Sequence, residues 1–139
     1  GLSERFVSIF LCKYDFKLRE LQYVNCGHPH PILFHNNKIE KLDKGSTVLG
    51  MFNDLPKFKV STVKKLTEFN LFCYTDGLIE TQNDFGDFYG SKRVLKLFSN
   101  NRKKPKKFIK NILNDLNEFK GNNLIDDDIT LLMTSVNNE

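Results

Sequence analysis

No run of apolar residues in this sequence approaches the roughly 18 that a membrane-spanning helix needs, so no segment is expected to cross a bilayer. No secretory signal precedes the first predicted strand. The three cysteines, Cys12, Cys26 and Cys73, are odd in number and lie among apolar residues, which favours reduced, buried thiols over a disulfide framework or a zinc site. These absences predict a cytoplasmic protein.

The sequence also has little excess of charge. Its 21 Lys and Arg residues outnumber its 17 Asp and Glu residues only slightly, and the net charge of +4 permits an acidic partner without requiring nucleic acid. With 139 residues, of which 40% are hydrophobic, the chain is long enough for one globular domain with a core. It opens on Gly1 and becomes strand-like almost at once, so we expect a segment of a larger protein, for example the output domain of a membrane-attached sensor.

The order of the predicted elements indicates an α+β fold with mostly antiparallel strands. Asn36 and Asn37 tolerate a positive φ and predict a tight hairpin turn. Pro105 suits the start of the last helix and Gly121 its end, and the apolar stripe between them has the helical period. The predicted strands cover residues 5–14, 21–26, 32–34, 38–42, 57–62, 69–75 and 129–136, and the predicted helices cover 94–98 and 108–119.

Two groups of carboxylates stand where predicted strands end or begin. Asp76 follows the apolar strand in FCYTDGLIE, and Gly77 lets the backbone turn or another group approach closely. Asp126, Asp127 and Asp128 precede the last strand in DDDIT, with Asp127 on the opposite side from its two neighbours. Carboxylate oxygens of this kind suit Mg²⁺ or Mn²⁺. Taken singly, each group is also typical of an ordinary turn or a solvated strand end.

Two further features have simpler interpretations. His28 and His30 have a spacing that could meet a metal from an extended segment, but histidines often serve as ordinary hydrogen-bonding residues, and His28 is expected to stabilise the loop after its strand. The basic segment NRKKPKK at 101–107 could contact phosphates, but it has no interleaved aromatic residues for base stacking. We therefore expect a solvated loop there and no nucleic-acid partner.

Four segments together resemble a known family. The stretches YVNCGHPHPIL, VLGMF, FNLFCYTDGLIETQNDFGDFYG and DDDITLLM follow, in order and spacing, the second half of bacterial SpoIIE-type phosphatases. These are serine/threonine phosphatases similar to protein phosphatase 2C (PPM type). The resemblance extends over almost the whole chain, and the combination of the three motifs around His28, Asp76 and Asp127 is far more specific than any one of them.

The resemblance implies a sandwich of two antiparallel sheets flanked by helices in the order α-β-β-α, with a pair of Mn²⁺ or Mg²⁺ ions at one end. It also implies that Asp76 and Asp127 are metal ligands, and that Gly77, Asp128 and His28 support them structurally. Hydrolysis in such a site uses water activated by the two ions, so no serine or cysteine nucleophile is expected. The implied substrate is a phosphorylated regulatory protein of the anti-sigma-factor antagonist type.

The chain departs from that family in one important respect. The two aspartate-bearing segments of the family's first half, which supply the carboxylate that bridges the metals, have no counterpart here, so we expect a domain incomplete at its N-terminus. Two carboxylates alone should bind divalent cations weakly. The leading hypothesis is therefore the C-terminal portion of a metal-dependent phosphatase domain, and the alternative is a non-catalytic regulatory module of the same fold. Unpaired strand edges would favour a homodimer.

Overall fold

The computed structural model describes residues 6–51, 54, 56–102 and 104–137. Three residues of the predicted features lie outside this range, namely Arg5 of the first predicted strand, Phe52 of the VLGMF motif and Lys103 of the basic segment. The elements are β1 (Ile9–Asp15), β2 (Glu20–Cys26), β3 (Ile32–His35), β4 (Lys38–Lys41), β5 (Gly45–Ser46), β6 (Ser61–Val63), β7 (Phe69–Tyr74), α1 (Asp76–Glu80), α2 (Gly90–Asn101), α3 (Pro105–Lys120) and β8 (Leu131–Val136).

The strands form two four-stranded sheets. In the first sheet β2 pairs with β1 along one edge and with β5 and β6 along the other. In the second sheet the order is β4-β3-β7-β8, so the last strand of the chain returns to pair with β7. Every pair is antiparallel except the two-residue contact between β2 and β5. The predicted α+β class with antiparallel sheets is confirmed.

The hairpin between β3 and β4 forms where its turn residues predict it. Asn36 and Asn37 have φ values of 46° and 60°, and His35 pairs with Lys38 directly across the turn. Two successive residues with positive φ match the right-handed twist of the flanking strands, and asparagine adopts that conformation at little cost. The hairpin prediction is therefore confirmed.

The two faces of the second sheet bury two separate cores. On the face toward the first sheet, Leu33 and Leu71 pack with Leu21 and Tyr23 of β2. On the opposite face, side chains of β3 and β7 pack with apolar residues from all three helices. The described layers are therefore, in order, the first sheet, the second sheet and the helices. Phe72, at the centre of β7, is fully buried on the helix side.

Helix α3 forms because its apolar residues recur at the helical period. Phe108, Ile112 and Leu116 are buried in the helix-side core, as the stripe predicts. Pro105 is the first helical residue, where its missing N–H has no intrahelical partner to lose. Gly121 ends the helix with a φ of 58°. None of the helices among the described residues is long and apolar enough to cross a membrane.

Three local predictions are wrong. The basic segment predicted as a loop over 101–107 overlaps the end of α2 at Asn101 and the first residues of α3 from Pro105. The strand predicted over 57–62 begins only at Ser61, and Phe58 and Val60 are exposed rather than half-buried, since pairing with β2 starts at Ser61. All three cysteines are free, but the prediction that all are buried fails for Cys12, which is exposed on the edge strand β1.

Candidate functional site

Strand β7 carries Asp76 to one end of the sandwich. The strand ends at Tyr74, and Asp76 is the first residue of the short helix α1 rather than part of a simple turn. The Gly77 N–H donates to Asp76 Oδ1 at 3.1 Å. The Asp76 side chain is exposed just beyond a strand whose apolar residues lie in the two cores.

Thr75 joins the end of β7 to the approach of β8. Its backbone N–H donates to the Thr130 carbonyl at 3.1 Å, and its hydroxyl donates to the Asp128 carbonyl at 3.1 Å. The same hydroxyl accepts the Thr130 N–H at 2.9 Å. Three hydrogen bonds from one residue thus fix the segment that carries Asp76 beside the segment that carries Asp127 and Asp128.

Gly77 lies against the backbone of the aspartate segment. A Cβ built on this residue would stand 2.6 Å from the Asp128 carbonyl oxygen and 3.2 Å from that of Asp127. Real side chains essentially never approach so closely, and the obstructing atoms are backbone. Any larger residue would push the two segments apart, so glycine at this position permits their close approach.

Asp76 and Asp127 line two different clefts, which share one lining residue. Asp127 lines a cleft of about 180 Å³ together with Gly77, and Asp76 lines a cleft of about 370 Å³ together with His28. Glu80 lines both. Residues 126–128 are exposed, and the Asp128 N–H donates to Asp127 Oδ1 at 2.8 Å. The structure therefore brings the two predicted ligand segments together, with an acidic side chain shared by the clefts.

His28 stands beside Asp76 in a loop that Asn25 holds. The His28 backbone N–H donates to Asn25 Oδ1 at 2.9 Å, and Asn25 Nδ2 donates to the Leu42 carbonyl at 3.1 Å. Burial lowers the pKa of His28, while the charge of Asp76 and a hydrogen bond with the Tyr74 backbone partly oppose that shift. The neutral imidazole is therefore favoured near pH 7. His30 lines the same cleft but is exposed.

Three positions important to this geometry were not singled out from the sequence. Asn25 is only 3% exposed, and an asparagine just before a Cys-Gly-His turn is a recognisable loop signal. Thr75 precedes Asp76 directly, and its role depends on a pairing partner 55 residues away. Glu80 lies four residues after Asp76, so it faces the same side of a helix that the strand pattern did not predict.

The donor atoms match a hard divalent cation in type. Asp76 and Asp127 are exposed carboxylates on adjacent segments, and oxygen donors of this kind suit Mg²⁺ or Mn²⁺. Their number is small, because the described residues contain no group of three or more His, Cys, Asp or Glu side chains able to hold a metal ion. The site as described supplies part of a ligand set.

Comparison with known proteins identifies similar sequences and folds. The family model of stage II sporulation protein E (SpoIIE) matches residues 2–137. The SiaA-PP2C domain of Pseudomonas aeruginosa is 19% identical with a TM-score of 0.80, over 96% of this chain and 52% of that one. The RsbU and RsbW domains of a Mycobacterium tuberculosis protein match at 22% identity and a TM-score of 0.68, over 95% and 38%.

A third solved structure is the catalytic domain of the serine/threonine protein phosphatase PstP in complex with two manganese ions. It matches at 11% identity and a TM-score of 0.61, over 95% of this chain and 60% of that one. The chain thus spans about half the length of the SiaA domain and less than two thirds of the other two. A search of the curated proteins found no match. These likenesses establish the PP2C phosphatase fold.

Proposed function

The chain belongs to the SpoIIE family of PP2C-type phosphatases, and from that premise we propose that it forms the C-terminal portion of a metal-dependent protein serine/threonine phosphatase domain. The observation that carries this proposal is the junction of Thr75 and Gly77 with Asp128, because it holds two acidic segments from distant parts of the chain at one exposed place. A metal-dependent phosphatase needs converging carboxylates of this kind to hold its ions, since phosphate monoesters resist attack by unactivated water.

We propose that Asp76 and Asp127 are ligands of Mn²⁺ or Mg²⁺, two of which would occupy the complete site. PstP, which has the same fold, was solved with two manganese ions, and this supports the choice of metal. Such ions supply an activated water and neutralise the phosphoryl charge. Thr75, Gly77 and Asp128 position the two ligand segments through the backbone contacts described above. His28, neutral beside Asp76, is available as a hydrogen-bonding group in the same cleft.

The proposed substrate is a phosphorylated regulatory protein of the anti-sigma-factor antagonist type, and the proposed location is the cytoplasm. Family membership and the likeness to an RsbU domain support a regulatory partner. The chain carries a net charge of +4 but is acidic around the site, so the bound cations would be needed to attract a phosphate group there. A homodimer remains a prediction from the strand edges of β1 and β8.

Substitution of the two ligands in the intact protein tests the proposal. Asp76→Asn and Asp127→Asn should each abolish Mn²⁺-dependent hydrolysis of p-nitrophenyl phosphate and of a phosphoserine protein, while the urea unfolding midpoint stays near that of the wild type. Glu118→Gln, an exposed carboxylate on α3, is the matched control and should leave activity unchanged. Full activity in either aspartate variant would refute the ligand assignment.

A second candidate is a regulatory module of the same fold that binds a phosphoprotein without hydrolysing it. The absence of a three-ligand cluster among the described side chains favours it for the isolated chain. Calorimetry on the 139-residue chain should therefore show only weak Mn²⁺ binding, and its turnover should be negligible. If the intact protein also fails to hydrolyse both substrates, the module is the correct interpretation. Tight dinuclear binding by the isolated chain would contradict this account of where the remaining ligands lie.

A further inference from the structure

A loop next to the candidate site is rigidly organised by one asparagine. The segment between α1 and α2 folds back on itself, with Gln82 bridged to Phe88. Asn83 Oδ1 accepts the N–H groups of Phe85 at 3.0 Å and Asp87 at 2.8 Å, and the Asn83 carbonyl accepts the Gly86 N–H at 2.9 Å. The backbone of 82–88 therefore has a defined shape without the support of a core.

The same loop is joined to the segment that follows α3. Asn123 Nδ2 donates to the carbonyls of Gln82 at 3.3 Å and Asn83 at 2.5 Å. The Asn122 N–H donates to Asp84 Oδ1 at 3.3 Å. Residues 82–88 and 121–125 thus form one continuous surface, and the second segment leads directly into the aspartates at 126–128.

This surface presents apolar side chains to solvent. Phe85 is 90% exposed, Leu124 is 83% exposed and Phe88 is 60% exposed, and Ile125 follows Leu124 with partial exposure. We call these four residues the apolar rim. Large apolar side chains grouped on an ordered backbone are unusual on a protein that works alone and commonly mark an interaction site. The rim also continues into the site, because Phe88 and Leu124 line the same cleft as Asp127.

The surroundings of the apolar rim are strongly acidic. Residues 80–88 and 120–128 contain six carboxylates, Glu80, Asp84, Asp87, Asp126, Asp127 and Asp128, against the single cation Lys120. The Lys120 ammonium is engaged with the carbonyls of Gly121 and Asn123. On a chain with a net charge of +4, this local excess of negative charge favours a partner segment that is basic.

We propose that the apolar rim docks the protein substrate, by receiving a leucine-like side chain about two residues from the phosphorylated residue in a segment flanked by arginine or lysine. The inference rests on the proposed function for the identity of the partner as a substrate. The apolar side chain would cover Phe88 and Leu124 on one side of their cleft, and the phosphorylated residue would lie at the Asp127 side of the same cleft. The basic residues would meet those surrounding carboxylates that are not proposed metal ligands. Two residues of extended chain span about 7 Å, so a side chain two positions from the phosphorylated residue can contact the wall of the same cleft.

Binding of synthetic peptides to the 139-residue chain tests this docking surface. The probe is Arg-Leu-Gly-Thr-Gly-Leu-Arg, and its matched control has both leucines replaced by serine. Titration followed by amide chemical shifts should show the leucine peptide binding at least about tenfold more tightly, since a buried leucine contributes that much readily. The largest shifts should fall in residues 82–88 and 121–125. A third peptide with glutamate in place of arginine should bind more weakly than the probe.

Two double variants separate docking from a general effect on the protein. Phe85→Ser with Leu124→Ser should remove the preference for leucine, whereas Phe16→Ser with Leu18→Ser, which changes the same residue types in the exposed turn between β1 and β2, should retain it. Equal binding of the leucine and serine peptides, absence of binding by both, or an unchanged preference in the rim variant would overturn the inference.

Phosphorylation of the probe distinguishes the inference from the proposed function. In the intact protein with Mn²⁺, the phosphothreonine form of the leucine peptide should be hydrolysed with a lower KM than the serine form. If the leucine preference appears in binding but neither phosphopeptide is hydrolysed, the proposed function fails and the docking surface stands. If both are hydrolysed with equal KM and kcat, the phosphatase stands and the docking surface is wrong.

Discussion

Replacement of Gly77 by alanine directly tests whether close backbone approach builds the site. The added Cβ would stand 2.6 Å from the Asp128 carbonyl oxygen, which is 0.8 Å short of the 3.4 Å where ordinary contact begins. The obstructing atom is backbone, and Thr75 and Thr130 hold that backbone through three hydrogen bonds, so the clash cannot be relieved by a side-chain rotation. Overpacking of this kind costs about 1–3 kcal/mol of unfolding free energy.

The same displacement should also weaken metal binding. Coordination of Mg²⁺ requires near-ideal distances of about 2.0–2.1 Å, so separating the segments of Asp76 and Asp127 by several tenths of an ångström disrupts a site that both must reach. In the intact protein we therefore expect Gly77→Ala to raise the Mn²⁺ concentration needed for half-maximal phosphatase activity. Urea unfolding of the 139-residue chain measures the stability cost independently of the metal.

Gly86→Ala is the control for Gly77→Ala. Gly86 has a φ of 83° and no atom within 4 Å of a built Cβ, so alanine there costs conformational strain of about 1 kcal/mol without moving the aspartate segment. It should reduce stability and leave the Mn²⁺ dependence unchanged. If Gly77→Ala leaves both the unfolding midpoint and the Mn²⁺ dependence at wild-type values, the role assigned to the close approach is wrong.

Two other predictions concern the loop beside Asp76. Asn25→Ala removes the hydrogen bonds to the His28 N–H and the Leu42 carbonyl. It should cost about 2–3 kcal/mol in urea unfolding, because one buried and one partly buried backbone group lose their bonds. A loss below ~0.5 kcal/mol, the ordinary effect of a surface substitution, would contradict this. Asp76→Asn removes a charge that raises the pKa of His28, so NMR titration should show that pKa falling further, and an unchanged or higher value would be inconsistent. The pKa of His28 is lower in the folded protein than in the unfolded chain. Its contribution to the free energy of unfolding is therefore fully present above about pH 6.5 and declines as the pH falls toward the folded pKa.

The parts of the fold that were predictable are those set by local chemistry. The turn at Asn36 and Asn37 needs only residues that accept positive φ, and helix α3 needs only its apolar period and its terminal Pro105 and Gly121. The strand predicted over 57–62 failed because alternation shows which side chains share a face but not where a partner strand begins. Pairing with β2 starts at Ser61, so Phe58 and Val60 precede the paired residues and stay largely exposed.

The residue types of the candidate site were predictable from the sequence, but the long-range contacts that position them were not. Strand ends rich in carboxylates indicated a cation site, and resemblance to a family selected Asp76 and Asp127 from among the acidic residues. The hydroxyl of Thr75 and the burial of Asn25 depend on contacts over 55 and 17 residues of sequence, and no local pattern encodes them. The exposed edge position of Cys12 likewise follows from strand order in the sheet, which the sequence of β1 alone does not contain.

The position of Cys73 makes the reactivity of its thiol a measure of packing between the two sheets. The thiol lies on β7 and packs toward the first sheet, where burial raises its pKa to about 12. At neutral pH the thiol is therefore almost entirely protonated, which is its unreactive form. Cys73 is partly exposed and Cys12 is exposed, so an alkylating reagent should modify Cys12 first and Cys73 more slowly. The ratio of the two alkylation rates therefore measures how strongly packing between the two sheets protects the Cys73 thiol.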